Sequence, residues 1–266
     1  MLMKAMTRVS AASASHRGGR TTNQDVTLIK PELGLLAVFD GMGGKAAGEV
    51  ASGLARDALV EFTERHFGQL FSPRELLEFG IDRAGSAVYH ASKAQPEHEG
   101  MGTTVVACFM AEPTSAVIGH AGDSRAYLFR DGRLTMLTHD HTLAQELVDQ
   151  GKIPAGDGML TFFSNALTRY LGEANSVQAE MLELSLHAGD RVLLCSDGLS
   201  NFVPPEAIQR ALGSSSAPDE IAAALVELAL QANATDNISV VVLVSDEVGQ
   251  GQLNEPTPLF PSLELG

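Results

Sequence analysis

The chain has 266 residues, 44% of them hydrophobic, with a formal net charge of −15 and two cysteines. That length and apolar content suffice to bury a sizeable core in a single layered domain. The acidity makes nucleic acid and anionic lipid poor partners. No run of the sequence approaches the roughly 18 apolar residues of a membrane helix, and the opening MLMKAMTRVSAASAS lacks the apolar centre of a secretory signal, so a cytoplasmic protein is expected. Cys108 and Cys195 sit in apolar, strand-like runs and read as buried reduced thiols; with no Cys/His cluster, zinc is not expected.

In chain order, residues 7–15 suit a first strand and a polar turn follows, HRGGRTTNQD. VTLIK (26–30) reads as a strand, PELG as a turn, and LLAVFD (35–40) as a buried strand that ends in a charge. After GMGG, a helix is predicted over about 46–66, with Val50, Leu54, Ala58 and Phe62 on its buried face. Pro73 opens a second helix to about 93, with Leu76, Leu77, Ile81, Ala84 and Val88 inward. A strand-rich middle follows, with an Asp-Gly hairpin at 130–133. A short helix from Thr142 to Gln150 leads into an irregular, Gly-rich excursion over 151–165. Strands resume at VQAEMLELSL and DRVLLCSDG, two helices lie near 205–212 and 218–232, and DNISVVVLVSD is a final buried strand. From 247 to 266 the sequence is Pro-, Gly- and Gln-containing without periodicity, and a mobile tail is expected there. Helices segregate from strands, which argues for an α+β layered domain.

Asp40, Asp123, Asp197 and Asp236 each stand where an apolar strand meets a Gly-containing or polar turn. One such aspartate is an ordinary turn residue. Four in one chain suggest convergence, and converging carboxylates need a cation to remain ionised together. Oxygen-only ligands suit Mg²⁺ or Mn²⁺, and a pair of such ions can activate water and screen a phosphoryl group. Gly41, beside Asp40, lets the backbone come close enough for its carbonyl to join. Arg20 offers a permanently charged, two-pronged donor for a phosphate.

RTTNQD, VFDGMGG, GMGTT, AGDSR, CSDGL and TDNIS occur in this order. The ordered set resembles the metal-dependent serine/threonine protein phosphatase family, type 2C, and in particular its bacterial branch, over about residues 8–245. The resemblance implies a β-sandwich of two antiparallel sheets flanked by helix pairs on both outer faces, a four-layer α-β-β-α arrangement. It implies a catalytic domain over 8–246 with a flap at about 141–170. It implies hydrolysis of phosphoserine and phosphothreonine by direct attack of metal-activated water. Carried over by motif, Asp40 bridges two Mn²⁺ or Mg²⁺ ions, the Gly41 carbonyl binds one, Asp197 and Asp236 complete the pair, and Asp123 with Asp197 holds a possible third. Arg20 binds the substrate phosphate and Asp25 acts through metal-bound water. The implied partners are phosphoproteins, namely a serine/threonine kinase or its substrates, with the chain a monomer.

Eukaryotic members have His where this chain has Met42, and methionine cannot protonate the leaving oxygen. Water is then the expected acid, with His139 and His141 as alternatives; both histidines are expected to face solvent. Three rivals remain. GMGGKA matches a dinucleotide fingerprint, but a second helix follows where the fingerprint needs a strand. A catalytically silent sensor or scaffold would usually lack Asp40, Asp197 or Asp236, all present here. The same chemistry on a small phosphate ester is distinguished only by the cleft rim.

Overall fold

The computed structural model describes residues 7–43 and 47–247; the expected tail, from residue 248 onward, lies outside the described residues. The strands are β1 (Thr7–His16), β2 (Asp25–Lys30), β3 (Leu35–Met42), β4 (Gly102–Thr103), β5 (Val105–Glu112), β6 (Ser115–Ala121), β7 (Arg125–Arg130), β8 (Arg133–Met136), β9 (Glu180–Ser185), β10 (Arg191–Cys195) and β11 (Ile238–Glu247). The helices are α1 (Ala47–His66), α2 (Pro73–Ala94), α3 (Leu143–Asp149), α4 (Asp197–Ser200), α5 (Pro205–Leu212) and α6 (Pro218–Gln231). One sheet has the order β1-β11-β10-β7-β8, the other β2-β3-β5-β6-β9 with β4 on β3, and the strand pairs are antiparallel.

Alternation along each central strand builds the layers. Leu36 and Val38 of β3 face the space between the sheets, with Val106, Ile118, Leu128, Leu194 and Leu243. Leu35, Ala37 and Phe39 point the other way, into a core with α1 and α2. Leu193 and Cys195 of β10, and Val240 and Val242 of β11, meet α5 and α6 in a third core. Strands covered on both faces must be apolar at every position, which is why LLAVFD and NISVVVLV read as continuous runs. The cores stack as helix, sheet, sheet, helix, as expected. Both cysteines are free and buried, and burial pushes each thiol up to about 12.

The hairpin forms at Asp131 and Gly132 with φ of 52° and 76°, two successive positive angles that Asp-Gly tolerates. Ser72 caps α2 reciprocally with Glu75 in front of Pro73. The inward face of α2 is as expected, but that of α1 is displaced. Val50, Leu54, Ala58 and Phe62 are only half-buried, and the fully covered stripe is Ala51, Ala55, Leu59 and Thr63, one residue further on. Small residues occupy it because α1 begins close against β3: a Cβ on Gly48 would stand 2.7 Å from the Gly41 carbonyl oxygen. Close backbone approach selected the stripe, and the larger residues cover its margin.

Register puts the start of β2 with the ends of β3 and β6 in one sheet and the start of β11 with the end of β10 in the other, and the bonds Ser196–Asp25 and Gln24–Asn237 join these two edges. The aspartates lie at that junction.

Candidate active site

Asp40 pairs with Asp25 across β2 and β3. Its backbone is held on both sides: the Asp40 N–H donates to Thr104 Oγ1 at 3.0 Å, and its carbonyl accepts from the Thr104 N–H and from Thr103 Oγ1, both at 2.9 Å. Gly41 follows in a space too tight for a side chain, since a Cβ would lie 2.1 Å from the Gly48 carbonyl oxygen. Asp123 sits in the turn from β6 to β7. Ser124, beside it, shares a 2.6 Å hydroxyl contact with Thr104, so one threonine links the Asp40 and Asp123 segments.

Asp197 opens α4, a turn of helix absent from the sequence expectation. Gly198 allows it: a Cβ there would stand 1.8 Å from the Asn237 carbonyl oxygen, so α4 lies directly on the Asp236–Asn237 backbone. Asn201 donates to Asp197 Oδ2 at 3.1 Å. Asp236 precedes β11 and accepts from Arg20 Nη2 at 2.6 Å.

These side chains line one cleft of about 230 Å³, together with Arg20, Gly41, Met42, Thr104 and Asn237, and with Asn165 and Leu167 from the segment between α3 and β9. Asp25 lies beneath it, buried, with Oδ2 accepting from Ser196 Oγ at 2.8 Å. Burial is the main force raising the carboxylates. It lifts Asp25 to about 7 against hydrogen bonds from Ser196 and Ser239, and lifts Asp123 to about 7 with the charges of Asp197 and Asp140 adding. Asp197 rises to about 6, through burial and then Asp236. Asp40 rises well above the usual range, through burial and then the charges of Asp25, Asp197, Asp123 and Asp236. Asp25 Oδ1 and Asp197 Oδ1 are buried without a hydrogen-bond partner. Crowded carboxylates with idle oxygens, with no thiol or imidazole among the described residues beside them, fit hard divalent cations.

The residues singled out in the sequence therefore meet in one place, with one qualification. Arg20 is more than half exposed at the mouth and its guanidinium is engaged with Asp236. Two contributors had no assigned role. Asn237 donates through Nδ2 to the carbonyls of Arg17 and Thr22 at 2.9 and 2.8 Å and accepts the Gln24 N–H on Oδ1 at 2.8 Å, tying down the loop that carries Arg20. Thr104 is the other. Both stood inside quoted motifs, TDNIS and GMGTT, but a buried polar residue at a strand end was the only signal. The expectation of solvent-facing histidines holds for His139, which pairs with Asp149 at 2.7 Å, and fails for His141, which is buried. Neither lines the cleft.

A family model described as protein phosphatase 2C matches residues 12–246. The serine/threonine protein phosphatase PstP of Mycobacterium tuberculosis is 39% identical over 244 residues, which is 91% of this chain and 46% of PstP. This chain thus spans about half the length of that curated relative. The serine/threonine phosphatase stp of Listeria monocytogenes is 35% identical over 225 residues, 82% of this chain and 87% of stp. Among solved structures, the catalytic domain of PstP in complex with two manganese ions superposes with a TM-score of 0.81 at 37% identity, covering 91% of this chain and 100% of that one. A bacterial serine phosphatase superposes with a TM-score of 0.83 at 29% identity, covering 91% of this chain and 100% of that one. With its paired antiparallel sheets, its row of strand-end aspartates and a match running through both, this chain belongs to the protein phosphatase 2C family.

Proposed function

We propose that this chain is a metal-dependent protein serine/threonine phosphatase. The observation that carries the reading is the convergence of Asp40, Asp123, Asp197 and Asp236 on one cleft with Arg20 at its mouth. Family membership supports it, as do the names of the relatives and the manganese ions bound by the PstP domain.

Asp40, the Gly41 carbonyl, Asp197 and Asp236 would hold two Mn²⁺ or Mg²⁺ ions, and Asp123 with Asp197 a third. Bound there, the cations supply an acidified water as nucleophile and a positive field for the phosphoryl oxygens. Arg20 grips the phosphate as a permanently charged donor, already oriented by Asp236. Asp25, anchored by Ser196 beneath the cleft, would act through metal-bound water. Thr104 keeps the Asp40 backbone from shifting. With no histidine among the described residues that line the cleft, the leaving serine or threonine oxygen takes its proton from water. Asn165 and Leu167 border the entrance and select what enters.

The substrates in this reading are phosphoproteins, a serine/threonine kinase or its targets among them, and the chain acts as a cytoplasmic monomer. No helix among the described residues is long and apolar enough to cross a membrane. The test is phosphate release from a phosphothreonine peptide with Mn²⁺, repeated with EDTA. Metal-dependent release is expected. A folded protein that releases nothing with metal present would favour a silent sensor, and release from small esters alone would move the substrate class.

A further inference from the structure

His141, at the start of the expected flap, is bonded to the body at Gly122, and Leu171 at its end is paired with Thr103. The His141 backbone N–H donates to the Gly122 carbonyl at 3.0 Å, and its Nδ1 accepts the Gly122 N–H at 3.1 Å. One residue thus holds both polar groups of the residue before Asp123. Gly122 has a φ of +114°, and a Cβ on it would lie 2.6 Å from Thr104 Cγ2, so the loop is pressed onto the threonine that fixes Asp40. On its other side, the His141 carbonyl accepts from the Thr168 N–H at 2.9 Å, the Leu143 N–H donates to Ala166 at 2.8 Å, and Thr142 bridges to Leu167. The two legs of the flap are therefore zipped together at the residue that clamps Gly122.

The ring is over-determined. It stacks on His120 at 4.5 Å and 6°, and His120 Nε2 bonds the His139 carbonyl at 2.9 Å. Because Nδ1 accepts from Gly122, the neutral ring carries its proton on Nε2, which faces Glu180 Oε2 at 3.4 Å. Arg169 Nη1 lies 3.0 Å from the same nitrogen, a contact between two donors and so not a hydrogen bond in this tautomer. Burial first, then His120 and Arg169, hold the ring down to about 4, so Nδ1 stays an acceptor. His120, His141 and Glu180 could be taken for a metal site. Parallel stacked rings do not converge on one ion, and the Arg169 guanidinium already occupies the approach to His141 Nε2.

We propose that His141 is a positioning residue for Asp123: it fixes the Gly122 peptide that presents the Asp123 carboxylate, and it makes the flap and that loop move as one unit. The role matters for catalysis only if the phosphatase reading above holds, so the test has a readout of its own. Three variants separate the two ring nitrogens. His141→Asn keeps an acceptor near the position of Nδ1, His141→Gln keeps one near Nε2, and His141→Ala keeps neither. In metal-free protein, amide exchange at Gly122 is expected to rise roughly fivefold to tenfold or more in the Gln and Ala variants, the size of one lost hydrogen bond, and to stay near wild type in the Asn variant. The Mn²⁺ concentration giving half-maximal peptide dephosphorylation should rise in the same two variants by a similar factor and be rescued in Asn. An Asn variant that behaves like Gln, or Gly122 exchange unchanged in Gln, overturns the proposal. If Ala fails to fold, the Asn and Gln pair still decides it. A wild-type protein without phosphatase activity would sink the functional reading, while the exchange comparison would still rule on the clamp.

Discussion

Arg20 Nη2 and Asp236 Oδ2 lie 2.6 Å apart across the mouth of the cleft, joining residues from opposite ends of the chain. The pair is partly exposed, so its direct contribution to stability is small. Its consequence is positional, since it holds the guanidinium beside the carboxylates of the cleft.

Replacing that guanidinium tests its role. Arg20→Ala should raise KM for a phosphothreonine peptide by about 10-fold or more, the scale of a charge-assisted hydrogen bond, with a smaller change in kcat. Steady-state kinetics decide it, and a fall in kcat at constant KM would move the phosphate site elsewhere.

Asp40 is held well above the usual carboxylate range by burial and by the charges of Asp25, Asp197, Asp123 and Asp236. Asp40→Asn should lower kcat by roughly a thousandfold, because removing a central ligand costs several kcal/mol of transition-state stabilisation. The same change should raise the melting temperature of the metal-free protein, because the neutral amide no longer repels its neighbours. A fall in both would assign Asp40 a structural role instead.

Stability of the metal-free protein should depend on pH with a defined sign. Asp25 and Asp123 rise from 3.8 to about 7 on folding, and Asp197 from 3.8 to about 6. The folded state therefore holds these protons more tightly than the unfolded chain. The stabilisation is complete below about pH 4 and is lost as pH climbs through about 6 to 7. In EDTA the melting temperature should drop between about pH 5 and about pH 8, and Mn²⁺ should remove most of that drop by binding the ionised carboxylates. A melting temperature that climbs over the same range in EDTA would contradict the burial of this cluster.

Asn237 makes three hydrogen bonds to the 17–24 loop. Asn237→Ala leaves buried groups unpaired and should cost about 2–4 kcal/mol, measured by urea denaturation, with KM raised as the Arg20 loop loosens. A loss below half a kcal/mol, measured the same way, would show that water replaces the side chain.

Two glycines offer opposite signs for one substitution. Gly198→Ala places a Cβ 1.8 Å from the Asn237 carbonyl oxygen and should destabilise by about 3 kcal/mol or more. Gly53, inside α1 with nothing within 4 Å of its added Cβ, should stabilise by about 0.5–1 kcal/mol when changed to Ala. Thermal melts of the two variants check both.

Much of this protein was legible from sequence because local rules decide it. Continuous apolar runs mark strands covered on both faces, Asp-Gly marks the hairpin, and prolines open α2, α5 and α6. The order of motifs was enough to identify the family, and it led to Asp40, Asp123, Asp197, Asp236 and Arg20, which the fold brings to one cleft. What the sequence could not decide depends on distances between segments far apart in the chain. The inward stripe of α1 shifted by one residue because backbone approach at Gly41 and Gly48, not side-chain size, governs that contact. Asn237 gained its role only when the 17–24 loop arrived to accept and donate its hydrogen bonds. His141 looked like a surface histidine until the segment before α3 folded onto Gly122 and buried it. A sequence states which groups are available, and hydrogen bonds and close contacts form only where the fold brings those groups within about 3 Å.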